Sequence, residues 1–184
     1  YNSFPVHAAR ESYLVTAELQ KALGATIGSG RIALLPPVLA FQSVADDTVD
    51  AQAAVTRLFD RLAEAGNQLV LFDVNRNRLL DPLRVPGATE WGHALLQGGP
   101  LRFQVTVVGT RSIDDAEAVA LTRAAGTNEV QEQSLTMHYP AEVFSLSHVA
   151  MPFAANDPLY GNVSAGKGAL QLGAIAIRGE RNAL

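Results

Sequence analysis

The chain of 184 residues has no cysteine, which excludes disulfide bonds, thiolate metal sites and a cysteine nucleophile. It also lacks the run of about 20 apolar residues that a membrane-spanning helix needs. Its longest apolar stretch, from Ile32 to Phe41, is interrupted by Pro36 and Pro37. Basic clusters are absent as well, and 14 basic against 18 acidic residues give a net charge of −4. We therefore expect no nucleic-acid partner, because nothing in the sequence forms a surface that follows phosphates.

The remaining composition is typical of a globular protein. Hydrophobic residues make up 48% of the chain and charged residues 17%, which is enough for a sizeable core. The length suits one domain or a large piece of one.

Residues 38–73 have the pattern of a strand, a helix and a second strand. Two short apolar runs, Val38–Phe41 and Leu69–Phe72, are typical of buried strands. Asp50 is a suitable N-cap for the helix between them, and Gly66 a suitable stop. The apolar stripe of this helix is formed by Ala51, Val55, Leu58, Phe59 and Leu62. Such a unit predicts a parallel pair of strands and an α/β fold.

Other segments also have predictable structure. We expect a helix over residues 8–23 with Gly24 as its stop, followed by a glycine-rich loop to Gly30. Alternating apolar residues over 101–107 predict a strand with one wet face. Residues 115–125 are expected to form a short helix and residues 143–146 a strand, whereas residues 170–177 fit either a strand or a short buried helix.

Asp46 is the most promising candidate for chemistry, because it follows a predicted parallel strand and precedes a helix. Ligands of open parallel sheets bind beyond the carboxyl ends of the strands. A carboxylate there can orient an imidazole, although Asp46 and its acidic neighbours can equally serve as helix caps. Two histidines are candidate bases: His148, after the predicted strand 143–146, and His93, in a Trp-Gly-His segment. Either histidine can also be structural.

Two segments of the chain resemble the alpha/beta-hydrolase superfamily. Gln42–Val49, with the sequence QSVADDTV, resembles the segment that carries the acid after the seventh strand, and Ser145–Ala150 (SLSHVA) resembles the segment that carries the histidine. Asp157–Gly161 and the tail Arg178–Arg181 resemble the C-terminal end of lysophospholipase-like or carboxylesterase-like bacterial members. The resemblance implies an α/β fold that is the C-terminal portion of a hydrolase-type parallel sheet, with flanking helices and a β-containing insertion.

By this resemblance, Asp46 matches the triad acid and His148 the general base. The superfamily places its nucleophile before the acid, in a G-x-S-x-G elbow, and no such motif precedes Asp46 here. Because the chain begins at Tyr1 without a methionine, we expect the nucleophile on an upstream segment or a separate chain. The interval from Asp46 to His148 is longer than one helix and one strand require, which keeps His93 open as the alternative base.

This interpretation divides the chain into four parts. Residues 1–30 form a lid stub and a helix, 31–74 the strand–helix–strand unit, 75–141 an insertion with β structure, and 142–184 the segment bearing the base. The segment Asp73–Asn77 lacks the glycine and distal glutamate of a calcium loop, so we expect a polar turn.

The implied function is a serine ester hydrolase that acts on ester or lipid-like small molecules. We expect no cofactor and no metal, because the histidines are far apart and the P-loop-like run Gly161–Gly168 ends in glycine where Ser or Thr should hold Mg²⁺. An exposed strand edge predicts association with the missing N-terminal part or self-association. The alternative is a non-catalytic α/β binding or interaction module of the same fold, in which Asp46 caps a helix and His148 is structural.

Overall fold

The computed structural model describes residues 6–46, 49–64, 66–78, 87 and 89–139, together with the strand residues 171, 172, 175 and 176. The helices are α1 (Val6–Gly28), α2 (Ala51–Arg57) and α3 (Glu90–Gln97). The strands are β1 (Leu39–Ser43), β2 (Gln68–Phe72), β3 (Gln104–Ser112), β4 (Asp115–Arg123), β5 (Val130–His138), β6 (Gln171–Leu172) and β7 (Ile175–Ala176).

The predicted strand–helix–strand unit is confirmed. Strands β1 and β2 pair in parallel, with Leu39 opposite Gln68 and Ser43 opposite Phe72. Asp50 caps α2, since its carboxylate accepts a hydrogen bond from the Ala53 amide at 3.0 Å. The helix is shorter than its apolar stripe suggests, because it ends at Arg57 and continues as a 3-10 turn over Phe59–Arg61.

The five strands β1 to β5 form one mixed sheet in chain order. Strand β3 runs parallel to β2, so α3 crosses between them as α2 does between β1 and β2. Strands β4 and β5 are then added antiparallel. The chain is therefore α/β with flanking helices, and its sheet is mixed. The region from 75 to 141, expected to contain β structure, contains α3 and contributes three strands, β3 to β5, to this same sheet.

The helix expected over residues 115–125 is wrong, because the segment forms β4. Ala118, Ala120 and Leu121 favour a helix locally, but β4 lies between β3 and β5 and its backbone hydrogen-bonds to both. Two strand ladders outweigh a modest local preference, as is usual when tertiary pairing competes with propensity.

The first helix is predicted in kind but not in extent. It continues through Gly24 to Gly28, and the left-handed backbone that ends such a helix occurs at Gly30, with φ of +71°. The helix passes Gly24 without interruption, and a Cβ there would make an ordinary van der Waals contact with the Arg61 guanidinium at 3.7 Å. Arg61 also donates to the Gln20 side chain at 2.7 Å, which ties α1 to the turn after α2.

The core lies on one face of the sheet, beneath α2 and α3. Phe59 and Phe103 are fully buried there, with ring centroids 4.9 Å apart. The sheet side chains that point into this core are Leu69, Leu71, Val105 and Val107. On the opposite face, Phe41 is 62% exposed and stacks on Phe72 at 6.4 Å.

The remaining sequence predictions have mixed outcomes. Within the segment 170–177, for which a strand and a helix were both open, the described residues form strands β6 and β7, which pair antiparallel. The predicted strand over 143–146 lies outside the described residues. No helix within the described ranges is long and apolar enough to cross a membrane.

Candidate functional site

Two aspartates follow neighbouring parallel strands. Asp46 is the third residue after β1, and Asp73 comes directly after β2. The strands stay paired to these points, since the Val44 amide donates to the Phe72 carbonyl and the Asp73 amide to the Val108 carbonyl. Both carboxylates therefore belong to the edge of the sheet where open α/β proteins bind ligands.

Asp46 is half-buried and held by its immediate sequence neighbours. Its Oδ1 accepts the Val49 amide at 3.0 Å and its Oδ2 accepts the Gln42 side-chain amide, also at 3.0 Å. These contacts fix the carboxylate in the turn that leads into α2. The arrangement suits an acid that orients a partner, and it equally suits a turn-stabilising residue.

Asp73 is far more enclosed, with its side chain 1% exposed. Its Oδ1 accepts the Val74 amide at 2.8 Å, whereas its Oδ2 accepts Arg76 Nε at 2.9 Å and contacts His93 Nε2 at 2.8 Å. Gly109 on β3 allows this close packing, because a Cβ there would lie 3.2 Å from the Asp73 Cβ.

The surroundings of Asp73 control two pKa values. Burial alone raises the pKa of the Asp73 carboxyl, but the His93 hydrogen bond and the charge of Arg76 outweigh burial and hold the pKa below its ordinary value of 3.8. Asp73 is thus an ionised, buried carboxylate. Burial and the Asp73 charge together raise the pKa of Tyr139 to about 12, and the Tyr139 hydroxyl donates to the Asp73 carbonyl at 3.1 Å.

His93, the alternative base predicted from sequence, contacts the Asp73 carboxylate through Nε2 at 2.8 Å. Because Asp73 is ionised, Nε2 carries the proton in this hydrogen bond, which leaves Nδ1 as the second nitrogen. The His93 side chain is 36% exposed, so part of the ring is accessible to solvent. Chemically, the pair could act as a base or serve as a fixed structural link.

Helix α3 connects the two acid-bearing segments. The Trp91 indole N–H donates to the Val44 carbonyl at 3.2 Å, two residues before Asp46. Next to it, Gly92 lies so close to Val44 that a Cβ would come within 2.9 Å of Val44 Cγ1. The following residue, His93, reaches Asp73. Three consecutive residues of α3 therefore touch the end of β2 and the turn after β1.

The other end of α3 is held by a buried arginine of β4. Arg123 is fully buried, and its Nη1 donates to the Leu95 carbonyl at 2.6 Å. A second group of the same guanidinium donates to the Gly99 carbonyl, just beyond the helix. Arg123 also holds the following turn through the Thr127 carbonyl at 2.7 Å.

An apolar groove of about 270 Å³ opens on the sheet face opposite the core. Tyr139 connects this groove to the Asp73 site, since Tyr139 lines the groove and its hydroxyl donates to the Asp73 carbonyl. The lining side chains are Val70, Phe72, Val108, Ala118, Leu135, Met137, His138 and Tyr139.

Of the two predicted site residues, the structure describes Asp46, and His148 lies outside the described residues. In the part of the chain that is described, no group of three or more histidines and carboxylates is arranged to hold a metal ion.

Sequence reasoning missed the role of Asp73, which it treated as part of a polar turn. A signal was available, because Asp73 follows an apolar strand as closely as Asp46 does. Arg76, three residues later, is spaced to reach back to it.

No protein-family model, curated protein or solved structure matches the chain. The function is therefore argued from the residues of this site.

Proposed function

We propose that this chain supplies the acid and base of a serine ester hydrolase of carboxylesterase or lysophospholipase type. Asp46 would be the acid and His148 the base, with the nucleophilic serine on an upstream segment or a separate chain. The observation that carries the proposal is the location of Asp46, immediately beyond a parallel strand and ahead of the crossover helix α2. The resemblance of residues 42–49 and 145–150 to hydrolase segments supports the same roles.

In this mechanism the serine attacks the acyl carbonyl while His148 accepts its proton. His148 then returns the proton to the leaving alcohol, and water repeats the sequence on the acyl-enzyme. Asp46 would hold the imidazole in the required tautomer and stabilise its protonated form. Its contacts with Gln42 and Val49 would preorganise the carboxylate for this role.

His93 is the less suitable base for this mechanism. Asp73 holds its Nε2 as a triad acid would, but Arg76 shares the same carboxylate oxygen. A carboxylate neutralised by arginine stabilises a protonated imidazole less than an uncompensated one. His148 therefore stays the proposed base.

The test uses the protein that includes the coding sequence upstream of Tyr1. We expect a fluorophosphonate probe to label one serine, and a p-nitrophenyl ester to be hydrolysed. Asp46→Asn should lower kcat by about 10⁴-fold, the size of effect seen when a triad acid loses its charge. His148→Ala should reduce hydrolysis to the same low level.

The binding-module alternative makes the opposite prediction for each measurement. It is favoured by the short-range contacts of Asp46, which resemble those of a turn cap. Absence of both serine labelling and ester hydrolysis in the longer protein would count decisively for it, whereas an Asp46→Asn variant with full esterase activity would show that Asp46 is not the triad acid.

A further inference from the structure

His93 stands at the centre of a set of contacts that the proposed mechanism does not use. Asp73 is buried and ionised, and its Oδ2 lies 2.8 Å from His93 Nε2. Groups of this kind are rarely left inside a protein without a positional role, because desolvating a charge costs several kcal/mol before its partners compensate. Arg76 supplies the compensating charge, and His93 is the one partner of Asp73 that comes from α3.

The contact made by His93 is transmitted along α3 to the acid-bearing turn. Trp91 and Gly92, the two preceding residues, rest on Val44 through one hydrogen bond and one close packing contact. Val44 is buried and lies two residues before Asp46. A shift of α3 therefore changes the support beneath this turn, because close-packed groups transmit small displacements.

Arg123 restricts what α3 can do if His93 is lost. The guanidinium holds the Leu95 and Gly99 carbonyls, so the C-terminal end of the helix stays attached to β4. The N-terminal end, whose N-cap Thr89 hydroxyl still accepts from Arg76 at 3.2 Å, would then pivot rather than detach. Trp91 and Gly92 lie at that end, so the pivot would act directly on Val44.

We propose that His93 is a positioning residue for Asp46, acting through α3, Trp91 and Val44. The Asp73–His93 hydrogen bond fixes the position of α3 against the sheet. The position of α3 in turn fixes that of the turn that carries the Asp46 carboxylate. This role rests on the proposed function, since it assigns His93 to the support of the triad acid.

The experiment measures Trp91 emission and ester hydrolysis in the same variants of the longer protein. Trp91 is the only tryptophan between Tyr1 and Leu184, and subtracting the spectrum of a matched Trp91→Phe version isolates its emission. His93→Ala removes the hydrogen bond, whereas His93→Gln keeps an N–H that can reach Asp73. His7→Ala, at an exposed position on α1, is the matched control for loss of a histidine.

We expect His93→Ala to shift Trp91 emission to longer wavelength, because the indole loses its contact with Val44 and becomes more exposed to water. It should also lower kcat by about 100-fold with little change in KM, as a displacement of about 1 Å at a reacting group does. His93→Gln should restore both values toward those of the parent and leave the pH dependence of kcat unchanged. His7→Ala should match the parent throughout.

Two results would overturn the proposal. If His93→Ala and His93→Gln both abolish hydrolysis while Trp91 emission stays unchanged, His93 is itself the base. If neither emission nor kcat changes in His93→Ala, α3 does not depend on this hydrogen bond.

Failure of the proposed function would give a different pattern. The parent protein would then hydrolyse no ester, while a red shift in His93→Ala that His93→Gln reverses would still establish the coupling of His93 to the Asp46 turn.

Discussion

The turns after β1 and β2 carry the same residue type in different surroundings. Asp46 is half-buried and bonded to residues within four positions along the chain. Asp73 is almost fully buried and bonded to an arginine, to a histidine 20 residues away, and to its own turn. Equivalent places at one sheet edge thus hold a half-buried carboxylate in a turn and an almost fully buried one in a side-chain network.

The difference separates two uses of a carboxylate at a strand end. Asp46 is half-buried and lies in the turn before α2, where its carboxylate accepts the Val49 amide and the Gln42 side-chain amide. The charge of Asp73 holds Arg76 and His93 in place, and the Tyr139 hydroxyl donates to its backbone carbonyl. The burial of a charge and the number of its partners, rather than its location alone, distinguish the two roles.

The largest difference between the two acids should appear in stability. Asp73→Ala leaves Arg76 without its buried partner and the Val74 amide without an acceptor, so we expect a loss of about 3–5 kcal/mol in the free energy of unfolding. Asp46→Ala removes a turn contact and should cost only about 1 kcal/mol. Urea unfolding of both variants measures the two values.

One outcome of this paired measurement would contradict the prediction. Equal losses for Asp46→Ala and Asp73→Ala would mean that both carboxylates hold the fold to the same degree. The division into a half-buried turn acid and a buried structural acid would then be wrong.

The first of these turns was predictable from sequence, and the physical reason is local. Two short apolar runs flank a helix with an apolar stripe at helical spacing, and Asp50 has the chemistry of an N-cap. Each of these signals operates within a few residues. Together they place Asp46 correctly at the end of β1.

The partner of Asp73 was not predictable, because it depends on tertiary structure. His93 was visible as a candidate, but only the crossing of α3 over the sheet brings it to Asp73. The helix prediction for the β4 segment was wrong for the same reason, since its residues favour a helix locally and only pairing with β3 and β5 makes it a strand. The burial of Arg123 was likewise not predictable, because its hydrogen-bond acceptor, the Leu95 carbonyl, is brought to it only by the packing of α3.

A second, smaller effect should follow from crowding between the two turns. Gly92→Ala places a methyl group 2.9 Å from Val44 Cγ1, so α3 or the Asp46 turn must move. We expect a net loss of about 1–3 kcal/mol, although alanine by itself favours a helix over glycine by up to about 1 kcal/mol. Thermal unfolding followed by circular dichroism measures this loss.

Gly99→Ala is the control for this substitution, because no atom lies within 4 Å of a Cβ at that position. It should change stability by less than about 0.5 kcal/mol. A stabilised Gly92→Ala variant would show that α3 can withdraw from Val44 without cost, and the link between the two acids would be lost.

The smallest effect concerns pH, and it isolates Asp73. Its pKa in the folded protein is below the ordinary value of 3.8, because the His93 hydrogen bond and the charge of Arg76 outweigh burial. The ionised carboxylate therefore contributes its full stabilisation above the unfolded pKa of about 3.8, and this contribution is lost as the pH falls through the lower folded pKa. Asp73→Asn, which cannot ionise, should lose less stability than the parent when the pH is lowered from 5 to about 2.

Asp46→Asn provides the comparison for this measurement and should keep the acid-dependent loss of stability that Asp73 causes. The free energy of unfolding is obtained from urea titrations at a series of pH values, with the slope against pH reporting the protons taken up on unfolding. An Asp73→Asn variant with the parent's slope would show that the buried carboxylate is not the group that titrates. In that case the stability of the fold at acid pH would depend on other carboxylates, and the hydrogen bond to His93 would hold α3 without help from a buried charge.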